Sequence, residues 1–458
     1  MSDLRRLLKC TADMAADFYE SLDTRPVFPR VTLEDLRAAL GGPLPTEPTA
    51  PDTVISHLAA AADPGIVAQP GGRYFGFVIG GSVPAALAAD WLTSTWDQNA
   101  GLYIAGPAAA VVEEVAGAWL KELFGLPAGA SHAFVTGGQM ANTTALAAAR
   151  HHVLARAGWD VERDGLQGAP RIRVIVGAKR HGTIDRSLRY LGLGAATDII
   201  PADDQGRMRA DELRLTDVPT IVCGQAGEVN TGAVDPIEAI ADACATAPNA
   251  WLHVDVAFGL WAAVPDRLRP LVAGVSRADS WATDAHKWLN VPYDCGVMFC
   301  AHPRSHAGAI SARAAYLQFD DRGGRDAFDW TPESSRRARG FAVYAAIRSL
   351  GRPGIAAMVE RCCAHARRAA AGLAGLGAYV INDVVLNQVL FRFASDDMTD
   401  RVLTRVQESG EAWMGGTIWN GHRAIRLSVS NWQTRDADID RAVAAFRVAV
   451  AAEPAAGA

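Results

Sequence analysis

Residues Trp251-Leu252-His253-Val254-Asp255-Val256-Ala257 form a short, mostly apolar run that aims a carboxylate out of its far end. Four further runs of the same kind stand around it, at 171–176, 220–223, 279–282 and 296–300. Alanine-rich, helix-like stretches separate them, and several are flanked by glycine or by a helix signal such as Asp235-Pro236. A strand that is apolar almost throughout has no face to show to water. Short strands of that kind alternating with helices predict an α/β fold whose central sheet is mostly parallel and covered on both sides. In such sheets the functional side chains tend to lie just past the carboxyl ends of the strands.

Working outward, residues 5–23 read as an amphipathic helix, followed by a turn-rich segment at 24–30. Pro43, Pro45 and Pro48 then impose an extended stretch that wraps rather than coils. Such a stretch needs a surface to lie on, a hint of dimerisation. Residues 108–124 carry apolar side chains at helical spacing and stop at Gly125. Gly323-Gly324 lies in a polar connection, 318–326, that reads as a mobile loop. Two long helices are predicted beyond it, at 332–350 and 354–376, then strands near 389–393 and 424–429. The length supports two or three domains: an N-terminal helical and extended dimerisation segment (1–75), a large α/β domain (76–330) and a small C-terminal α/β domain (331–458).

Composition narrows the function classes. Half of the 458 residues are apolar and 21% are charged, the balance of a globular chain rather than a disordered one. The net charge of -6 gives no general attraction to a phosphate backbone, so nucleic acid is not an expected partner. Arg336-Arg337 and Arg367-Arg368 read as solvated or salt-bridged faces of helices. The N-terminus carries acidic residues within its first twenty and has no long apolar run, so it does not read as a signal peptide. The apolar stretch around 251–261 is broken by His253 and Asp255, which makes it a poor membrane span. Seven scattered cysteines, an odd number, do not suggest a disulfide framework, and Cys362-Cys363 lacks partners spaced for zinc. These features predict a soluble cytoplasmic protein with reduced thiols.

Four segments carry the chemistry. In Asp284-Ala285-His286-Lys287-Trp288 a lysine follows a predicted strand, between a histidine and a tryptophan. An amine in a partly apolar, cationic setting has a lowered pKa and can form a Schiff base; a surface lysine packed on Trp288 is the bland alternative. Asp255, at the end of its strand, can keep a pyridine nitrogen protonated and so make the ring an electron sink. A buried structural aspartate, or a metal site shared with His253 on the same strand face, are the alternatives. Thr136-Gly137-Gly138-Gln139 runs straight into a helix, where free N–H groups and the helix dipole favour a phosphate, although a glycine pair there is also an ordinary turn. It is no P-loop, because the lysine is missing, and no dinucleotide fingerprint occurs. His181, after the 171–176 strand, can stack on a planar cofactor or serve as a loop histidine.

Together these segments resemble the group II pyridoxal-phosphate-dependent amino-acid decarboxylases, which include aromatic-amino-acid, glutamate and diaminobutyrate decarboxylases. The resemblance runs from about residue 75 to residue 352 and more faintly beyond. It is most specific in Asp284-Ala285-His286-Lys287-Trp288 and Pro292-Tyr293-Asp294-Cys295-Gly296. It implies a fold of the pyridoxal-phosphate-dependent transferase type (fold type I), with pyridoxal 5'-phosphate carried by Lys287 as a Schiff base. It implies that Asp255 pairs with the pyridine nitrogen, Ala257 packs near the ring, His181 stacks on it, and Tyr316 in the loop protonates the product carbon. Thr136, Gly137, Gly138 and Gln139 would cradle the phosphate with Asp284 close to it, and His286 would be a further cofactor contact. Two of these depart from the family: many members have Ser or Thr in place of Gln139, and a carboxylate at Asp284 repels a phosphate unless it is turned away or hydrogen-bonded elsewhere. Tyr74, Phe77 and Trp96 are expected to wall the substrate space, favouring an aromatic side chain, and Arg73 is a candidate for a substrate carboxylate. The expected reaction is decarboxylation of an L-amino acid to its amine and CO2 in a cytoplasmic homodimer with a shared active site. Aldehyde synthase, carbon–carbon lyase or aminotransferase chemistry on the same scaffold, and a non-catalytic interaction protein retaining the fold, are the alternatives.

Overall fold

The structure, a computed structural model, describes residues 3–312 and 323–454. Its centre is a seven-stranded sheet built from β1 (Ser131–Val135), β2 (Arg173–Gly177), β3 (Asp198–Ile200), β4 (Thr220–Gln225), β5 (Ala250–Asp255), β6 (Ser280–Asp284) and β7 (Gly296–Cys300). The spatial order is β1-β7-β6-β5-β4-β2-β3. Every neighbouring pair from β6 to β3 is parallel, and β7 runs antiparallel between β6 and β1. The four central predicted strands fall inside this parallel block, and the carboxyl ends of β2, β4, β5 and β6 therefore share one edge.

Alternation along each strand splits the interior into two layers. Val174, Val176, Ile221, Trp251 and Ala282 pack under the helices Gly138–Arg156 and Gly182–Tyr190, while Ile175, Val222, Leu252, Val254 and Trp281 face the opposite layer. Burying one such aliphatic side chain contributes roughly 1.5–3 kcal/mol, so a one-residue slip in β5 would be prohibitive. That register sends His253 and Asp255 to the same side as Trp251, toward the Gly138–Arg156 helix.

A second sheet, ordered β10-β11-β9-β8, is built from β8 (Tyr379–Val380), β9 (Gln388–Arg392), β10 (Gly415–Trp419) and β11 (His422–Ser428). The long element Gly340–Ala374 leads into it and is broken by Gly351 (φ 58°) with Pro353 just beyond, where two helices were expected. The first of them starts at Gly340 and not at 332. Arg336 is the reason, and it corrects the reading of that arginine as part of a helix face. Its buried guanidinium donates to the Ala100 and Phe134 carbonyls at 2.6 Å each and to Glu113 Oε2 at 2.9 Å, which pins the chain as an irregular plug. Arg368, by contrast, is a half-exposed partner of Asp440 at 2.8 Å.

The N-terminal helices Asp3–Ser21, Leu33–Leu40 and Pro51–Ala62 bury no residue, and Leu4, Leu8, Leu33, Leu40, Val54 and Leu58 are exposed on them. Arg73, a candidate for binding a substrate side-chain carboxylate, instead clamps this segment to the 410–411 turn that precedes β10. It donates to the carbonyls of Leu22, Asp23, Arg25 and Glu411.

Candidate active site

Asp255 closes β5 and is nearly buried. Its Oδ1 accepts the Ala257 N–H at 3.2 Å and its Oδ2 accepts the Asn142 amide at 3.1 Å. Asn142 stands at the heart of a relay whose direction is set by one group. The Asp255 carboxylate can only accept, so Asn142 gives it amide hydrogens and leaves Oδ1 facing His253 Nε2 at 2.9 Å. An amide oxygen can only accept, so His253 carries its proton on Nε2. Its Nδ1 accepts at 2.9 Å from the Ser280 hydroxyl, which itself accepts the Trp251 indole N–H at 2.9 Å. Burial brings the His253 imidazole down to about 4, which keeps it neutral. With its oxygen occupied, Asn142 turns its amide hydrogens to Asp255 Oδ2 and, at 3.1 Å, to Thr183 Oγ1. Thr183 in turn meets His181 Nδ1 at 2.9 Å. One asparagine thus orients both Asp255 and His181. Because both nitrogens of His253 are engaged in this chain, a metal shared with Asp255 would have to break it.

Lys287 sits in the turn after β6, beside the carboxyl end of β5. The turn is held by Asn290, a buried residue in the left-handed region (φ 55°). Its Oδ1 accepts the N–H groups of Gly81 at 2.7 Å and Trp432 at 2.9 Å, and its amide donates to the carbonyls of Trp288 and Ser430 at 3.0 Å each. The lysine turn, the 80–81 segment and the 430–432 segment after β11 therefore meet on one side chain. Lys287 Nζ lies 2.8 Å from Asp284 Oδ2. His286 accepts the Cys295 N–H on Nδ1 at 3.0 Å and turns Nε2 toward Asp284 Oδ1, 3.5 Å away. Burial holds this imidazole below its ordinary value against the pull of Asp284.

Across from Asp284, the Gly138–Arg156 helix begins. A Cβ on Gly138 would come within 2.6 Å of Asp284 Oδ2, so only glycine lets the helix end approach the lysine turn this closely. Gln139 points sideways and donates to Ser187 Oγ at 2.9 Å and to the Thr183 carbonyl at 3.3 Å, while its buried Oε1 has no partner. Gly138, Gln139, His181, Asp255, Ala257, Asp284, His286 and Lys287 all line one cavity of about 160 Å³.

Thr136 is exposed and does not line this cavity, although Gly137 abuts His286. The aromatic wall expected of Tyr74, Phe77 and Trp96 is not found within the chain. Tyr74 is buried in a stack on Trp413 with ring centres 5.2 Å apart, Phe77 is exposed on a left-handed backbone, and Trp96 packs edge-on against Phe341. The apolar lining comes from Val78, Val229 and Phe258 instead. Tyr316 lies outside the described residues. The sequence reading missed Asn142, Thr183 and Asn290. Asn142 carried a signal, a polar residue in the first turns of an alanine-rich helix that the glycine pair already marked.

A deep cleft at the carboxyl ends of parallel strands, with a lysine, a strand-end carboxylate and a glycine-framed helix terminus, defines an α/β enzyme that holds a small anionic cofactor. The chain belongs to the pyridoxal-dependent decarboxylases: residues 34–394 match the conserved domain of that family. Tryptophan decarboxylase 1 of Oryza sativa subsp. japonica is 26% identical, over 94% of this chain and 90% of that protein. L-2,4-diaminobutyrate decarboxylase of Rhizobium meliloti is 31% identical, over 76% and 72%. 4-Hydroxyphenylacetaldehyde synthase of Rhodiola rosea is 26% identical, over 96% and 93%. The fold agrees with the crystal structure of Oryza sativa TDC with PLP and tryptamine at a TM-score of 0.91, with 24% identity and 98% of each chain covered. It is that of fold type I, and the protein is a pyridoxal-phosphate-dependent carboxy-lyase. The cavity fits the cofactor in its donor set: orphan helix N–H groups for a phosphate, a carboxylate for a ring N–H and an amine for an aldehyde. Among the described residues that line the cavity, Asp284 opposes it.

Proposed function

We propose that the enzyme converts an L-amino acid with an apolar, aromatic side chain to its amine and CO2, with Lys287 as the cofactor lysine. The observation that carries this reading is the convergence of Lys287, Asp255 and His181 on one cavity, with the last two oriented by the same asparagine. When bound, pyridoxal phosphate supplies an aldehyde for an amine and a ring that accepts the electron pair left as CO2 departs. Asp255, fixed by Ala257 and Asn142, holds the proton on the ring nitrogen. The N-terminal turn of the Gly138–Arg156 helix and His286 hold the phosphate. His181, with Nδ1 occupied by Thr183, presents Nε2 to the reacting carbon, and Tyr316 delivers the proton that replaces the carboxylate. Val78, Val229 and Phe258 exclude water from that carbon.

The substrate class rests on the lining. Among the described residues, the cavity has two carboxylates: Asp255 is held by Asn142 for the ring nitrogen, and Asp284 faces the Gly138 helix end where the phosphate would sit. Neither is left to recognise a cationic side chain of the diaminobutyrate kind, and the apolar lining suits the tryptophan-like class named by the Oryza sativa relative. We also take the enzyme to be a homodimer with a shared site, its 1–75 segment covering the partner, because the three N-terminal helices leave their apolar faces bare. A cytoplasmic setting is supported by seven unpaired cysteines, and no described helix is long and apolar enough to cross a membrane. A panel of amino acids assayed for CO2, amine, aldehyde and peroxide tests the reading. Amine and CO2 in equal amounts from an aromatic amino acid are expected. Aldehyde with peroxide would make it an aldehyde synthase, and amino-group transfer to a keto acid without CO2 an aminotransferase.

A further inference from the structure

Asp284 closes β6 and is 2% exposed. Its Oδ2 pairs with Lys287 Nζ, and its Oδ1 has no hydrogen-bond partner. The carboxylate stands against Gly138, whose added Cβ would meet it at 2.6 Å, and so faces the helix end where backbone N–H groups favour an anion. A carboxylate and a phosphate thus compete for one cradle. Lys287 pairs with the carboxylate as a free ammonium with three hydrogens. Joined to the cofactor, the nitrogen keeps its charge but only one hydrogen and is tethered to the ring, so it no longer serves the carboxylate alone. The other titratable groups around Asp284 supply no replacement charge. Burial pushes the Tyr293 phenol and the Cys295 thiol up, so both stay neutral, and it pushes His286 down. A buried anion whose cation is tethered elsewhere, set beside a second anion, is strongly disfavoured.

We propose that Asp284 faces the bound phosphate as the neutral acid and donates a hydrogen bond to it, so that loading the cofactor draws one proton from solvent. The proposal rests on Lys287 being the cofactor lysine. The hydrogen count is closed: the ammonium brings three hydrogens, two leave with the aldehyde oxygen as water, and the third stays on the nitrogen of the new carbon–nitrogen double bond. None remains for Asp284, so its proton comes from bulk water.

The test is titration of the apoenzyme with pyridoxal phosphate, at pH values where the free phosphate is dianionic. Proton uptake is read by calorimetry in buffers of different ionisation enthalpy, and the dissociation constant is followed against pH. Wild type takes up about one proton more per site than Asp284→Asn, and the affinity advantage of the variant grows about tenfold per pH unit. Equal uptake in the two proteins, with a borohydride-reducible adduct on both, overturns the proposal and leaves the lysine assignment standing. No adduct on wild type overturns both. If Asp284→Asn does not fold, wild type is titrated with pyridoxal, which lacks the phosphate. Lower proton uptake than with pyridoxal phosphate is then expected, and equal uptake overturns the proposal.

Discussion

At the scale of the residue, function depends on how few groups decide the orientation of the rest. The Asp255 carboxylate can only accept, and from that follow the rotation of Asn142, the tautomer of His253 and the hydroxyl direction of Ser280. On the proposed mechanism, Asp255→Asn removes the charge that would hold the ring proton while keeping the shape. It should retain cofactor but lose at least about 100-fold in kcat, the scale of a lost electrostatic contact to a reacting centre; near-wild-type turnover in steady-state assays would take Asp255 out of the mechanism. Ser280→Ala is farther from the chemistry. It orphans the Trp251 N–H and His253 Nδ1, costing about 1–3 kcal/mol for each group in chemical denaturation, and its kcat should fall less than that of Asp255→Asn. Lys287 and Asp255 were legible in the sequence because each follows a recognisable strand. Asn142 was not, because its partner Asp255 lies 113 positions away and only folding joins them.

At the scale of the element, the strands were legible where burial on both faces left an apolar run, as in β5, β6 and β7. Short β3 and exposed β10 carry no such signature, and neither was foreseen; nor was β1, whose buried run is interrupted by Ser131 and His132. The helix expected from 332 failed for a reason that no periodicity could reveal: Arg336 is drawn inward by Glu113, more than 200 residues earlier. The lysine turn depends on a residue of the same hidden kind. Asn290→Ala strands the N–H groups of Gly81 and Trp432 and the carbonyls of Trp288 and Ser430 in the interior. It should lower unfolding free energy by about 3 kcal/mol or more and weaken cofactor retention. A denaturation midpoint equal to that of wild type would show that the turn is held by something else.

At the scale of the whole molecule, buried imidazoles set the response to acid. Burial takes His152 and His253 to about 4 and His306 to about 3, all below the ordinary histidine value of 6.5. The unfolded chain therefore binds more protons than the folded one between pH 6.5 and about 4, so stability falls as pH drops through that window. Asp235, raised by burial to about 7, acts in the opposite sense over much of the same range, but one carboxyl opposes three imidazoles. The melting temperature should decrease steadily from pH 7 to pH 4.5, and a flat profile would mean that these histidines are solvated. Above all of this stands the claim that one amine carries the cofactor. The direct measurement is borohydride reduction of the reconstituted full-length enzyme followed by peptide mapping. A single pyridoxyl group on Lys287, absent from Lys287→Ala, is the predicted result; a label on another lysine, or none, would contradict the account.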